Sequence, residues 1–284
     1  MPALLRAWPL SEPGVGKDDR GDLLVLGGSA STPGAALLAG LAALRAGAGK
    51  LAVATVGSAA TALAVAVPEA QVVGLLEDEE GRIDPRAAAE VVDRAEAADA
   101  VLAGPGLEDP DRADALLAAV LPRLGVPVVL DALGTAYLTK RPDGLRHLHG
   151  RAVVTANPTE LAHLAGQGEC GTRQERLEAA AGVARRSGVV VLVGAEDKLV
   201  LDPAGRSWVV EGGGPGLGVS GSGDVQAGIV AGLLARGAEP AQAAVWGAYL
   251  HARAGERLAG SIGHVGYLAR ELPPVIPTVL GELI

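Results

Sequence analysis

Short, wholly apolar runs alternate along the chain with longer stretches in which apolar residues recur every three or four positions. The runs Asp22–Gly28, Lys50–Val56, Gln71–Leu76, Asp99–Ala103, Val126–Asp131, Arg151–Thr155 and Val189–Val193 have the length of strands and almost no polar face. Strands apolar on both sides need cover on both sides, which predicts a parallel sheet between two layers of helices. The helices are expected over Gly34–Gly47, Asp84–Ala97, Asp111–Leu124 and Arg173–Ser187, the first entered through Pro33, a residue suited to the first helical position. The crossovers should be right-handed. Lys198–Asp202 and Arg206–Glu211, flanking Pro203-Ala204-Gly205, break the alternation and predict a hairpin near the sheet's edge. Helices over Asp224–Gly237 and Pro240–Leu258 complete the pattern. The fold class is therefore α/β, with a mostly parallel central sheet covered by helices on both faces, in one domain over residues 1–284.

Charge and composition remove several function classes. The formal net charge of −9 argues against a general nucleic-acid binder or a polybasic membrane surface. With no Phe, three Trp and three Tyr, there is no aromatic platform for stacked bases. A lone cysteine, Cys170, makes neither an internal disulfide nor a cysteine-rich zinc site. Met1–Leu10 does not read as a secretory signal, and the longest apolar runs, such as Ala59–Pro68, fall short of a membrane helix. A cytoplasmic protein without nucleic-acid or membrane partners is the expectation. Glycine, at 41 residues, is about twice its usual share, which points to tight turns or to loops where backbone approaches a ligand.

The candidate chemistry lies in the turns that follow the strands. Gly221-Ser222-Gly223-Asp224 opens an apolar helix, and such a turn offers backbone N–H groups and the positive end of the helix dipole to a phosphate. Asp224 there can act as a general base or simply as a first-turn residue. Seven glycines within 212–223 favour the ligand reading, because a cap needs no such run. Gly104-Pro105-Gly106 follows another strand and reads as a ligand-facing turn or an ordinary tight one. In Thr155-Ala156-Asn157-Pro158-Thr159-Glu160, Asn157 and Glu160 can organise a hydrated magnesium ion or form a capping box. Gly27-Gly28-Ser29 with Thr32-Pro33-Gly34 has neither dinucleotide-fingerprint nor Walker A spacing. His163 and His251 lack metal-ligand spacing and are expected to be structural, and Cys170 has no basic neighbour to activate it.

The order of these turns, GGS…TPGA, GPG, TxNPxE and GSGD, with Lys17-Asp18-Asp19-Arg20-Gly21 before the first strand, resembles the ribokinase-like superfamily. Within it the chain is most similar to the ADP- or ATP-dependent NAD(P)H-hydrate dehydratases, over a core of about residues 17–275, with residues 33–50 (PGAALLAGLAALRAGAGK) the most specific stretch. The resemblance implies a single ribokinase-like domain without the N-terminal epimerase domain of some members, and a homo-oligomer. It implies repair of the S epimer of hydrated NADH or NADPH: ADP or ATP phosphorylates the ring hydroxyl, and phosphate, unlike hydroxide a good leaving group, is then eliminated. On matching positions it implies Asp224 as the catalytic residue and Ala35, Gly106, Asn157 and Asp224 as substrate contacts. The nucleotide would meet Val193, Gly194, Ala195, Glu196 and Asp197 and the anion-binding Gly221, Ser222 and Gly223. Mg²⁺ is the implied cofactor, with Glu160 its candidate ligand.

The chain departs from the family pattern at informative places. It has Asn157 where His is usual, Val193 where Lys is usual, Ser220 for Gly, and Leu133 where Asp or Gly is usual after Asp131-Ala132. Losing the strand-end lysine removes a positive charge near the donor phosphates, and Lys198 lies in the next predicted strand. The rival readings are a vitamin or sugar-like small-molecule kinase of the same superfamily, favoured by Asn157 and Glu160, and a degenerate non-enzymatic nucleotide binder. The helix at residues 33–47 weighs against the first and Asp224 against the second.

Overall fold

The computed structural model describes residues 1–12 and 14–283. Its strands are β1 (Asp22–Leu26), β2 (Lys50–Val56), β3 (Ala70–Leu75), β4 (Ala100–Ala103), β5 (Val128–Leu130), β6 (Ala152–Ala156), β7 (Val190–Val193), β8 (Lys198–Leu201) and β9 (Ser207–Val210). They form one nine-stranded sheet in the order β3-β2-β1-β4-β5-β6-β7-β8-β9. All pairings up to β7 are parallel, and β8 and β9 join antiparallel at one edge. The hairpin turn closes through Asp202 N–H to Arg206 C=O (3.0 Å), with Gly205 at φ +91°.

Alternate residues of the strands enter two separate cores. Leu23, Val25, Leu102, Val153, Leu192 and Val200 pack under the helices Pro33–Arg45, Ser222–Ala235 and Pro240–Ser261. Leu24, Leu26, Val101, Val154, Val191 and Leu199 pack under the helices Ala88–Ala95, Pro110–Val120 and Arg173–Ser187 on the other face. The sheet is thus covered twice, which is why its inner strands carry no polar alternation, while the edge strands β3 and β9 expose residues such as Gln71 and Ser207.

The small-residue helix Pro33–Arg45 has a packing reason. A Cβ on Gly228 would strike the backbone of Ala39, and one on Gly232 the backbone of Ala43. Glycine facing alanine brings this helix against Ser222–Ala235 backbone to backbone, closer than larger side chains permit. That contact fixes the helix whose first turn carries Asp224. The helix begins two residues before its expected start, so Asp224 stands inside the first turn. The apolar run near residues 59–68, assigned no element from its pattern, forms the helix Gly57–Ala66. Further helices at Pro2–Ala7, Ala136–Lys140 and Ile276–Gly281 also lacked a periodic signal, being only 5–6 residues long. No helix is long and apolar enough to cross a membrane, among the described residues.

Candidate active site

The carboxyl ends of β5, β6 and β7 lie along one edge of the sheet. Because β8 runs antiparallel, its first residue, Lys198, stands at that same edge. A cavity of ≈ 820 Å³ opens there. Its wall comprises Asp131 after β5, Thr155 and Asn157 around the end of β6, Gly194 after β7, Lys198, and the loop from Gly214 into Asp224.

Asp224 is not a cap. The N-cap position belongs to Gly221, at φ +90°, and no side chain among the described residues caps the helix start. Asp224 makes no hydrogen bond to another described residue; burial, then the charge of Glu160, raises its pKa from 3.8 to about 6. A carboxylate at that value is poised to take a proton near neutral pH. Beside it, Gly223 has no neighbour that a Cβ would meet within 4 Å and no positive φ. Nothing in the chain itself demands glycine there, so the absent side chain leaves space in front of the helix's free N–H groups.

Behind the turn, Ser222 Oγ is hydrogen-bonded to His251 Nε2 (2.9 Å), and His251 Nδ1 lies 3.4 Å from Gln226 Nε2. An amide nitrogen only donates, so this arrangement places the imidazole proton on Nε2, directed at Ser222. Burial and then the charge of Lys198 hold His251 far below its ordinary pKa, hence neutral. Lys198 is 3% exposed, and burial lowers its pKa to about 8, against the opposing pull of Glu256.

Opposite this turn, Thr155 Oγ1 donates to Asp131 Oδ1 at 2.6 Å. Burial raises the Asp131 pKa to about 7, helped by the charges of Asp224 and Glu160 and opposed by the Thr155 hydroxyl. The next residue, Ala132, is held at φ +47°, a conformation that L residues rarely adopt and that clusters at functional sites. Asn157 and Glu160 form the capping box: Asn157 Oδ1 accepts from Glu160 N–H (2.9 Å) and Glu160 Oε2 accepts from Asn157 N–H (2.8 Å). Both also line the cavity, so the cap and the cavity wall are one feature. Burial raises the Glu160 pKa, opposed by that same backbone bond and by His163.

Of the residues expected from sequence, Asn157, Glu160, Gly194, Ala195, Glu196, Gly221, Ser222, Gly223 and Asp224 line this one cavity. Val193 and Asp197 do not. Strand alternation turns the Val193 side chain, 0% exposed, into the opposite core, and Asp197 is paired with Arg173. Ala35 and Gly106 lie outside the cavity wall as well. They meet each other at the ends of β1 and β4, where a Cβ on Gly106 (φ +70°) would stand 3.0 Å from that of Ala35. One helical turn beyond Ala35, Leu38 packs against Gly221, so the first two turns of Pro33–Arg45 join the two places.

Two cavity residues, Asp131 and His251, had no assigned chemical role in the sequence, and a third, Lys198, stood only as the alternative cation for the phosphates. Asp131 ends an apolar strand, and a carboxylate in that position is itself a signal. Lys198, expected in the next strand, reaches the cavity because an antiparallel neighbour begins where its partner ends. His251 was expected to be structural; it sits in a buried hydrogen-bonded chain one bond from the Gly-Ser-Gly-Asp turn. His163 is exposed.

Comparison with known proteins converges on one family. The profile of NAD(P)H-hydrate dehydratases matches residues 23–278. An ADP-dependent (S)-NAD(P)H-hydrate dehydratase from Xanthomonas campestris is 43% identical over 99% of this chain and 95% of its own length. A bifunctional NAD(P)H-hydrate repair enzyme from Moorella thermoacetica is 36% identical over 93% of this chain, which spans only 50% of that protein. The ADP/ATP-dependent NAD(P)H-hydrate dehydratase from Bacillus subtilis, co-crystallised with ATP/Mg²⁺, superimposes with a TM-score of 0.81 at 25% identity, covering 100% of this chain and 98% of that one. A ribokinase-like protein from Enterococcus faecalis has the same fold, with a TM-score of 0.83 at 24% identity over 100% of this chain and 95% of its own. The chain belongs to the NAD(P)H-hydrate dehydratase family.

Proposed function

We propose that this protein dehydrates the S epimer of hydrated NADH or NADPH at the expense of ADP or ATP. The observation that carries the reading is the Gly221–Asp224 turn. It joins a helix N-terminus, an open glycine at 223 and an unpartnered carboxylate with a pKa near 6 in one cavity.

In the first step the ring hydroxyl oxygen attacks the terminal phosphorus of the donor. Asp224 takes the hydroxyl proton, and the bond to the leaving nucleotide breaks, giving AMP from ADP or ADP from ATP. The N–H groups at Gly221 and Gly223 receive the charge that builds on the transferring phosphoryl oxygens, while Ser222 N–H is held by Val219 C=O (3.1 Å). In the second step the ring nitrogen's lone pair expels phosphate. Loss of a proton from the adjacent carbon, taken up by the departing phosphate, restores the ring double bond. The nicotinamide end would rest along Ala35 and Gly106 and reach Asp224 past Asn157.

Mg²⁺ fits the donor set in a restricted way. No group of three His, Cys, Asp or Glu converges to hold an ion, among the described residues, and one Glu160 oxygen is engaged in the capping box. Asp131, Glu160 and Asp224 could therefore hold the ion only together with donor phosphates and water, the usual manner for magnesium. Bound there, it would neutralise charge on the donor's phosphates.

The test supplies hydrated NADH with ADP, then with ATP, and follows the return of reduced-nicotinamide absorbance. Recovery that requires a donor, with AMP or ADP and phosphate formed in equal amounts, is expected. Phosphorylation of an added vitamin or sugar alcohol with no recovery of NADH would replace this reading with the kinase one.

A further inference from the structure

We infer that Lys198 is the protein's own cation for the donor's phosphate chain, binding it from the far end of the Gly-Ser-Gly-Asp turn. This deepens the proposed function and rests on its reading of the cavity as the donor site.

A lysine 3% exposed costs stability unless something answers its charge. Lys198 forms no salt bridge and no side-chain hydrogen bond with another described residue. Glu256, the acid whose charge acts on it, is already committed: one oxygen accepts from Gly213 N–H at 3.1 Å and the other pairs with Arg253. The remaining neighbour, His251, is neutral and donates towards Ser222.

The surrounding backbone is shaped around the ammonium. Gly213, at φ +105°, passes so close that a Cβ there would come within 3.4 Å of Lys198 Nζ. The glycine loop thus folds over the lysine without a side chain between them. Lys198, His251, Ser222 and Asp224 all stand in the wall of one cavity, with His251 bonded to Ser222 at the start of the helix. An anion lying over the helix N-terminus would have this ammonium behind it, the arrangement in which a lysine serves as a point charge for phosphate.

The alternation of β7 adds a second argument. Val193, at the end of that strand, turns into the opposite core. Lys198 belongs to the face under the helices Ser222–Ala235 and Pro240–Ser261, since its strand neighbours Leu199 and Val200 enter the opposite and the same core respectively. A cation placed at residue 198 therefore reaches the donor cavity from the side where Ser222 stands. The cavity otherwise holds the carboxyl groups of Asp131, Glu160, Glu196 and Asp224, which repel a polyphosphate.

Titration calorimetry of adenosine, AMP, ADP and ATP, with and without Mg²⁺, on the wild type, Lys198→Met and Lys198→Arg decides the matter. Met matches the apolar stem and removes a buried charge, so that variant should fold at least as well. Expected for Lys198→Met is a loss of about 30-fold or more in ADP and ATP affinity, with adenosine affinity unchanged; Lys198→Arg should recover part of the loss. Equal losses for adenosine and ADP, or no loss for either, would overturn the inference. Failure of the wild type to bind any adenine nucleotide would overturn the donor site itself. Tight, Lys198-dependent ADP binding without NADH recovery would leave Lys198 in place and remove the dehydratase reading.

Discussion

Two places on the carboxyl edge of the sheet invite comparison. Between β1 and β4 the strand order reverses, which is where open α/β sheets usually form their ligand crevice. Here that place is filled. Gly28 N–H donates to Pro105 C=O (2.8 Å), and Thr32 Oγ1 donates to Gly106 C=O (2.9 Å). Added Cβ atoms on Gly27, Gly104 and Gly106 would each meet backbone. Over β5 to β8, by contrast, the edge is hollow, lined with Asp131, Asn157, Lys198 and Asp224, and Gly223 there faces open space. Glycine is abundant at both, for opposite reasons. At the first it lets two turns interlock, and at the second it leaves room and bare N–H groups. The two are joined by the first two turns of Pro33–Arg45, through Ala35 and Leu38.

The comparison assigns chemistry to the hollow half, and Asp224→Asn tests this most severely. The substitution keeps size and removes the base, so kcat should fall about 10²–10⁴-fold while ADP affinity, measured by calorimetry, stays within a few-fold. Unchanged kcat would return Asp224 to the status of a helix residue.

Sequence pattern reaches far into this fold and stops at identifiable points. Buried strands announce themselves because no solvent face dilutes the apolar run, and β1, β2 and β4 to β7 were legible for that reason, while β3, at the edge with Gln71 and Gly74 exposed, was legible from its remaining apolar residues. The helix Arg173–Ser187 was legible to the residue, since Thr172 and Glu175 form a capping box at its start and Gly188 closes it at φ +67°. The site was legible where local backbone makes it, as at Gly221–Asp224. It was not legible where the direction and register of strand pairing make it. That Lys198 faces the cavity depends on β8 being antiparallel, and that Val193 does not depends on register. The burial of His251 follows from how Pro240–Ser261 lies under the glycine loop, which no periodicity reports. Nor could spacing tell that Gly104-Pro105-Gly106 locks against Gly28 and Thr32 while Gly223 meets nothing.

A pair of single-methyl substitutions separates the two uses of glycine. Gly106→Ala forces a positive φ on alanine and drives its Cβ towards Thr32 C=O, so a loss of about 2 kcal/mol or more is expected, as a fall in the denaturation midpoint. Gly223→Ala should leave the midpoint unchanged or raised, since alanine suits a helix. It should weaken ADP binding about tenfold by filling the space before the N–H groups. If Gly223→Ala instead destabilises the fold and spares the nucleotide, the hollow half is merely unfilled.

Asp131 sharpens the contrast through pH. Its folded pKa, about 7, lies above the ordinary 3.8 because burial penalises the charged form. Between those values the folded protein keeps a proton that the unfolded chain has released. Stability therefore falls as pH rises through this range, and the cost is complete above about 7. Asp131→Asn retains an acceptor for the Thr155 hydroxyl and removes the cost. The variant should melt about 2–4 °C higher than the wild type at about pH 8, the difference disappearing near pH 4. A difference independent of pH would mean that Asp131 is not held protonated by its surroundings.

The smallest expected effect lies in the filled half. Thr55, at 0% exposure, has a hydroxyl without a hydrogen-bond partner among the described residues, and a Cβ on Gly28 would come within 2.6 Å of it. An unmet buried hydroxyl costs stability, and valine has the same shape without it. Thr55→Val should therefore stabilise by about 1 kcal/mol or somewhat less, a rise of ~2 °C in Tm, at unchanged KM for the hydrated dinucleotide. The two readouts separate two states of the same place. If the turns at Gly28 and Gly106 stay locked during turnover, the hydroxyl never meets a ligand and only Tm moves. If they part to admit the nicotinamide end, the hydroxyl finds its partner there, and Thr55→Val raises KM severalfold. In that case the strand-order reversal is a crevice that opens in use, and the contrast between the two halves belongs only to the unliganded protein.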